Sequence, residues 1–415
     1  MPQRPRPGVV VATAVTALGA FALAAPTASA AVSDVPCDSA ALVQAVVAAN
    51  ATDEPDTLSL TPNCVYMLTT AVDGTWGSGL PMIKGTLTVN GNNATIARAA
   101  DAPQFRILLN DGALTLNAVT LTGGHALDAV GADSWGGDGR TGEDGGAVLS
   151  WGPLTVNDSV ITGNAAGAGS PGADSTGGWG GAGGSGGGIA LYHSALNPVP
   201  ATITNSQITN NTAGAGARGG NAVGRGRGGS GRNGGSGGGI DAVSGIILRI
   251  TGSVIAGNAT ADGGAGGDGG STRGGSGDGG NGGMGAGVAF SGNNVSRPPL
   301  NPVITGTRIA DNRAGRGGNA GIPGSGGSLG YAGAGGTGGG VAVNWDSLTV
   351  DGGVITGNTA GEPGTGSFPR AANGGGIDTA SSNVTLTNGA VVTDNKPNNC
   401  GSVAAVPGCV NTPAK

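Results

Sequence analysis

Short runs of aliphatic and β-branched residues, separated by Gly, Ser and Asn, recur along the chain. The clearest reads Ser-Val-Ile-Thr-Gly-Asn at residues 159–164 and returns, with variation, five more times. Each copy ends in an asparagine, 37 to 54 residues after the previous one. These are Asn164, Asn211, Asn258, Asn312, Asn358 and Asn395. Apolar and polar positions alternate within each run, which predicts a β-strand with one buried face.

A glycine phrase ending in Val or Ile precedes every asparagine run. It begins at Gly145, Gly186, Gly237, Gly285, Gly338 and Gly374, and a third apolar run, such as Leu154 to Val156, lies between the two phrases. Three short strands in roughly 20 residues are typical of one rung of a parallel β-helix. With about three lead-in coils after residue 57, the pattern predicts roughly nine rungs about 4.8 Å apart, around a shared Val/Ile/Leu core.

The recurring asparagines fit a sharp corner, because Asn tolerates the left-handed backbone conformation. We expect them to form a structural ladder in which aligned amides bond up the stack. The alternative is a row of ligand-binding residues. Residues 39–50 carry apolar side chains at helical spacing and predict a short helix that caps the open end of the core.

Between each asparagine and the next glycine phrase lie extra residues with glycine at every third position. From Gly315 to Gly339 the period is unbroken. One interpretation is a flexible, low-complexity loop. The other is a threefold extended helix of the polyproline-II type, in which only glycine fits where helices pack together. The three-residue glycine period is interrupted in the middle of the inserts, which favours hairpins in which one arm leaves the stack and the other returns. We therefore expect polyglycine-like hairpins packed beside one another.

The N-terminal segment of the chain indicates export. Arg4 and Arg6, the uncharged apolar run at residues 8–25 and Ala28-Ser29-Ala30 predict a cleaved signal peptide over 1–30. Its removal takes the formal net charge from −6 to −8, which argues against nucleic acid or anionic membrane as a partner. No later stretch is apolar enough to span a bilayer. We therefore expect a secreted, extracellular protein.

Four cysteines fall in two local pairs, Cys37 with Cys64 and Cys400 with Cys409. Of the three possible connectivities we expect one disulfide within each pair, as suits an exported chain. Free thiols or a metal site are the alternative, although no histidine lies near either pair. The expected domains are the signal peptide (1–30), an N-terminal cap and first coil (31–80), the β-helix with its inserts (81–399) and a disulfide-closed tail (400–415).

The Gly-Gly-Gly-Ile and Gly-Asn-x-Ala phrases over residues 80–400 resemble the paired motifs of polymorphic outer-membrane-type repeats. They are also similar to the wider pectin-lyase-like β-helix superfamily. That resemblance, with the rule for parallel crossovers, implies a right-handed winding. It leaves the activity open, because the superfamily includes lyases, hydrolases, adhesins and inert stalks.

No catalytic constellation is visible in the sequence. Lysine is nearly absent from the coils, where Lys84 is isolated. His125 and His193 have no aspartate pair beside them, and Asp346 with Asp351 looks like a pair of turn residues. Asp241 and Asp378 share one repeat position but are three rungs apart, about 14 Å at the strand spacing. That separation is too wide for paired acid–base work. We expect no catalytic residue, no metal and no cofactor.

Four aromatic residues come three to five positions after the third residue of a glycine phrase: Trp151, Tyr192, Phe290 and Trp345. They are candidates for a stacked sugar-binding shelf, against lateral packing between rungs. Trp135 and Trp179 lie inside the inserts. The leading hypothesis is a secreted, non-enzymatic scaffold or adhesin-like protein that binds a surface, polysaccharide or cell-surface polymer. The alternative is a carbohydrate-active lyase or hydrolase of the pectin-lyase-like fold. An ice- or crystal-binding surface is a third.

Overall fold

The computed structural model describes residues 32–133, 136–291, 300–380, 382–401 and 405–411. The expected signal peptide and Trp135 lie outside these ranges. Within them the chain forms 24 β-strands and one α-helix. The N-terminal part contains β1 (Val32–Val35), α1 (Ser39–Ala49), β2 (Asp56–Leu60), β3 (Val65–Leu68), β4 (Thr86–Arg98), β5 (Leu108–Asn110) and β6 (Ala113–Thr122).

The remaining strands fall into three families that repeat in turn. The glycine phrases lead into β7 (Val148–Ser150), β10 (Ile189–Leu191), β13 (Ile240–Val243), β16 (Val288–Ser291), β19 (Val341–Asn344) and β22 (Ile377–Ala380). The middle runs form β8 (Leu154–Asn157), β11 (Val199–Thr204), β14 (Ile246–Thr251), β17 (Val303–Thr305), β20 (Ser347–Asp351) and β23 (Asn383–Thr387). The asparagine runs form β9 (Val160–Thr162), β12 (Gln207–Thr209), β15 (Val254–Ala256), β18 (Arg308–Ala310), β21 (Val354–Thr356) and β24 (Val391–Thr393).

Every pairing between these strands is parallel, and each repeat strand pairs with the strand three places later. The first family with β5 makes a 7-stranded sheet, and the others belong to a 17-stranded sheet. Such long parallel ladders are consistent with a solenoid-like stack. The prediction of an all-β chain with parallel strands is therefore confirmed.

The core runs the length of the stack and is built from the inward positions of the strands. In the asparagine-run family these residues are in register and almost fully buried: Ile161, Ile208, Ile255, Ile309 and Ile355. Their neighbours, such as Thr162 and Thr209, point outward, as a period of two requires. Each Å² of apolar surface that is buried stabilises the fold by about 25 cal/mol. A single rung buries too little surface to be stable alone, so the stability comes from stacking many rungs.

Helix α1 lies at the N-terminal end of this core. Asp38 caps it by accepting the backbone N–H of Ala41 at 2.8 Å, and Leu42 and Val46 are buried in the same apolar cluster as the first strands. The helix predicted over residues 39–50 is thus present over Ser39–Ala49. Both expected disulfides, Cys37–Cys64 and Cys400–Cys409, are also present.

The six recurring asparagines form a continuous buried ladder. Each side-chain amide donates to the Oδ1 of the asparagine in the next rung at 2.9 to 3.1 Å, and the last, Asn395, donates to Asn399. The same Oδ1 also accepts the backbone N–H of the preceding ladder residue, as in Asn211 to Asn258 at 3.0 Å. A buried corner would otherwise leave these backbone groups without partners.

One detail of the corner differs from expectation. The left-handed residue is not the ladder asparagine but the residue before it: Gly163, Asn210, Gly257, Asp311, Gly357 and Asp394, with φ between +56° and +68°. The asparagine is instead selected for its amide, which both donates and accepts. A second corner carries a hydroxyl ladder, in which Ser159 accepts the backbone N–H of Val119 and Ser206 that of Ser159.

The 7-stranded sheet is buried on both faces. Val148, Ile189 and Ile240 face the core. The outer positions in register include Leu149, Ala190 and Asp241, and glycine turns cover this side. The turn requires glycine because the first residue of each phrase has φ between +62° and +70°, and a Cβ on Gly186 would lie 2.7 Å from Ala190 Cβ.

Candidate functional site

The inserts form hairpins of two arms each, packed side by side, and we call the whole array the insert slab. The outgoing arms, which follow the ladder asparagines, span 125–133, 165–174, 212–222, 259–269, 313–324 and 359–366. The returning arms, which lead into the glycine phrases, span 136–146, 178–187, 228–238, 276–286, 328–339 and 370–375. Backbone hydrogen bonds join these arms in two directions.

Within one row, every third residue donates to the arm of the next insert. The backbone N–H of Gly169 bonds to Ala215 O at 2.9 Å in the outgoing row, and that of Gly180 bonds to Ser230 O at 2.9 Å in the returning row. Other residues bond between the rows, as Gly181 does to Ser170 O at 2.8 Å. The slab is therefore a two-row bonded array and not a set of independent loops.

The glycines of the array are required by packing. An ideal Cβ on Gly181 would lie 1.8 Å from the carbonyl oxygen of Arg140, and one on Gly229 would lie 1.9 Å from that of Gly178. These oxygens belong to the neighbouring arm and are fixed by their own hydrogen bonds. Two of the three positions face another arm and are mostly glycine, with a small buried side chain in places, as at Ala217, so the third position carries most of the larger side chains.

The third position of each arm faces solvent and shows a pattern that the sequence analysis missed. The backbone N–H of Asn221 bonds to Asp174 Oδ1 at 2.9 Å, and that of Asp268 bonds to Asn221 Oδ1 at 2.8 Å. The same contact continues from Ile322 to Asp268 at 2.8 Å. Asp and Asn at matching places in successive inserts were the signal, since their side chains accept backbone N–H groups.

A partly buried acidic cluster lies between the slab and the 7-stranded sheet. Asp144 belongs to a returning arm, while Tyr192 follows β10 and Asp241 lies on β13. The Tyr192 hydroxyl donates to Asp241 Oδ2 at 3.4 Å and also bonds to Asp144, whose Oδ1 accepts the backbone N–H of Ser185 at 2.6 Å. Sequence reasoning missed the cluster because its members come from three different repeats.

Burial controls the ionisation of this cluster. Loss of solvent raises the pKa of Asp241 to about 7, with Asp144 adding repulsion, and burial likewise raises the pKa of Asp144. Burial also raises the pKa of the Tyr192 hydroxyl. Asp241 is only 4% exposed. A polymer substrate has no access to such a carboxyl.

A fully buried arginine anchors the adjoining end of the slab. Arg106 donates to the carbonyl oxygens of Trp76 and Asp144 and pairs with Glu143 at 2.9 Å. It thus ties the loop before β4, the first returning arm and the stack together. We assign it a structural role, because every direction of its guanidinium is occupied by protein.

The four aromatic candidates are not in one row. Trp151 and Tyr192 follow consecutive strands in matching register, and Trp151 packs edge-on against Trp76 at 5.1 Å between ring centroids. Phe290 is 2% exposed and points into the core, aligned with Ala242 and Val343. A shelf of all four residues, one of the two interpretations, is therefore wrong, because Phe290 sits at an inward position of its strand. Trp345 is 50% exposed. A ligand-binding role for Trp151, Tyr192 and Trp345 stays a prediction.

The other titratable candidates occupy structural positions. Asp241 and Asp378 are three strands apart in one ladder, as expected. Asp346 accepts backbone N–H groups of a turn and Asp351 accepts the Thr387 hydroxyl. His125 has its pKa lowered by burial and lies 3.8 Å from Asp128. In the part of the chain that the structure describes, no group of three or more His, Cys, Asp or Glu residues could hold a metal ion.

Among the described residues, no helix has the length and apolar character needed to cross a membrane. The two disulfides indicate an oxidising compartment. Neither protein-family models, nor curated proteins, nor solved structures gave a match to the chain.

Proposed function

We propose that the chain is a secreted, non-enzymatic scaffold that presents the insert slab to a polysaccharide or other cell-surface polymer. In this proposal the stack is a right-handed parallel β-helix related to the pectin-lyase-like group. The inserts are polyglycine helices of the polyproline-II type, with three residues per turn. The β-helix holds the bases of the inserts at the spacing at which their arms bond to one another.

The observation that carries the proposal is the bonded slab itself. Most of its inward positions are glycine, because a Cβ there would lie too close to a carbonyl oxygen of the neighbouring arm, whereas its outward positions hold Ala, Asp, Asn, Arg, Thr, Trp and Tyr. An ordered backbone with variable outward side chains is a common arrangement for a recognition surface, because little conformational entropy is lost on binding. A loop that served only as a linker would not need such packing.

A carbohydrate-active enzyme is the second candidate, and the Asp144–Tyr192–Asp241 cluster is the observation that favours it. A carboxyl with a pKa near 7 could in principle act as a general acid. Against this, Asp241 is almost fully buried and its hydrogen-bond partner Tyr192 is held by protein groups. The cluster is therefore more consistent with a structural contact between the slab and the 7-stranded sheet than with an open active-site cleft.

One experiment separates the two functions. The secreted chain is incubated with a panel of soluble polysaccharides, and both binding and the release of reducing or unsaturated sugar are measured. Binding without product supports the scaffold. Product release that is lost in the Asp241→Asn variant supports the enzyme and refutes the scaffold. Absence of both binding and release from every polymer refutes the proposed ligand class.

A further inference from the structure

The returning-arm face of the slab carries exposed aromatic rings, in a chain with only 3% aromatic residues. Trp179 is 49% exposed, Tyr331 57% and Phe368 76%. We propose that this face binds a linear polysaccharide that runs across the arms from Trp179 to a pocket at Tyr331 and Phe368. The inference rests on the proposed function and names its binding site. The site lies on the inserts, away from the four aromatic positions singled out by the repeat pattern.

The backbone bonding places Trp179 and Tyr331 on one line. Gly180 N–H bonds to Ser230 O at 2.9 Å, Gly231 N–H to Asp278 O at 2.8 Å and Gly279 N–H to Tyr331 O at 2.9 Å. The residues at this level in successive arms are Trp179, Ser230, Asp278 and Tyr331. At about 4.8 Å per step, the two aromatic residues are about 14 Å apart across the arms. This distance exceeds one sugar ring, so an extended chain is needed to reach both.

The far end of the line opens into a pocket of about 570 Å³, between the returning arm at 328–339 and the chain at 368–370. The rings of Tyr331 and Phe368 line one side, with centroids 5.8 Å apart. Asn281 and Arg370 add polar groups, and the amide of Asn281 is fixed because its Oδ1 accepts the backbone N–H of Ala334 at 2.9 Å. Apolar walls with a few fixed polar groups are typical of small-molecule and sugar sites.

Two arginines provide the hydrogen-bond donors. The guanidinium of Arg232 lies over the Trp179 ring, 4.7 Å from its centroid, and Arg370 lines the pocket. Among the described residues, neither forms an ion pair with a carboxylate, unlike Arg227, which pairs with Asp278 at 2.8 Å. Stacking on the Trp179 ring holds the Arg232 guanidinium in place, while its N–H groups remain available to donate hydrogen bonds to a ligand.

These features match the chemistry of a sugar polymer. A pyranose ring offers an apolar face for an aromatic ring, and its rim of hydroxyl or carboxylate groups accepts hydrogen bonds from arginine and asparagine. Nucleic acid bases also stack on aromatic rings, but the formal net charge of −6 opposes a polyphosphate. The same charge disfavours a polyuronate, so we assign the face to a neutral polysaccharide and use a polyuronate as the comparison.

The test measures binding of the full secreted chain to one neutral glucan and one polyuronate by isothermal titration. Trp179→Ala and Tyr331→Ala are each expected to raise Kd about tenfold, since a buried aromatic contact is commonly worth more than 1 kcal/mol. Leu196→Ala is the control, because Leu196 is an apolar side chain, 81% exposed, in the loop between β10 and β11 of the stack. It should bind as the parent does. Arg370→Gln should weaken binding of the polyuronate more than that of the glucan.

The outcomes distinguish the site from the function. If the parent binds a polymer and both aromatic variants bind it equally well, this site is wrong while the proposed function stands. If the parent binds neither polymer, the proposed function fails with the site. Thermal unfolding of each variant serves as the folding control, and the outward position of both rings predicts an unchanged transition.

Discussion

Replacement of one slab glycine tests whether the inserts are a packed array. In Gly229→Ala the new Cβ would lie 1.9 Å from the carbonyl oxygen of Gly178, where ordinary contacts begin at 3.4 Å. The two returning arms would have to separate by about 1.5 Å to reach van der Waals distance, a case of overpacking. The bond from Gly180 N–H to Ser230 O, 2.9 Å long, cannot survive that movement.

The magnitude follows from the contacts that are lost. Two or three backbone hydrogen bonds cost about 1 kcal/mol each. Overpacking adds a cost of about 1 to 3 kcal/mol. Alanine also lowers the conformational entropy of the unfolded chain, which offsets about 0.4 to 1 kcal/mol of this loss. We expect the slab around Gly229 to lose about 3 kcal/mol of local stability, whereas the β-stack keeps its own core.

Amide hydrogen exchange measured by mass spectrometry is the assay, since it reports local opening. Peptides from residues 178–187 and 228–238 should exchange about a hundredfold faster in Gly229→Ala, as 3 kcal/mol requires. Gly74→Ala is the matched control, because a Cβ on Gly74 meets no atom within 4 Å. Equal protection in the two variants, or no protection of the inserts in the parent, would refute the packed slab.

Three further perturbations test the stack and its junction with the slab. Asn258→Ala removes a donor and an acceptor from the buried ladder and should cost about 3 to 5 kcal/mol in chemical unfolding, whereas the exposed Asn197→Ala should cost under about 0.5 kcal/mol. Asp241 has a pKa raised from 3.8 to about 7, so the free energy of unfolding should fall by about 4 kcal/mol as pH rises from about 4 to above 7. Asp241→Asn should make that slope shallower, leaving the part to which Asp144 contributes; an unchanged slope in the variant would contradict the assignment. Replacing the Cys37–Cys64 pair by serine, which frees a 27-residue span, should lower stability by about 3 to 4 kcal/mol, and an unchanged melting temperature would count against this.

The repeat pattern predicted much of the architecture because its causes are local and periodic. The Ser-x-Ile-Thr-Gly-Asn copies identified β9, β12, β15, β18, β21 and β24, and the same copies place Ile161 and Ile208 in register. A one-residue slip would turn these isoleucines to solvent, so the pairing follows from the sequence. The pairing of Cys37 with Cys64 was predictable for a similar reason, since both flank one short segment.

The candidate sites were less predictable because they depend on residues from different repeats. Phe290 and Trp151 follow the glycine phrases at similar distances, yet Phe290 points into the core and Trp151 outward, since a strand alternates faces at every residue. The Asp144–Tyr192–Asp241 cluster joins an insert to two strands, and no spacing along the chain indicates that contact.

The strands, the corner asparagines and the three-residue period of the inserts follow from the sequence alone, because each arises from the local conformation of a repeated phrase. How the arms of the slab meet depends instead on the tertiary structure. Its two rows are bonded because the stack holds the base of each insert about 4.8 Å from the next. The same spacing places Trp179 and Tyr331, 152 positions apart in the chain, on one face.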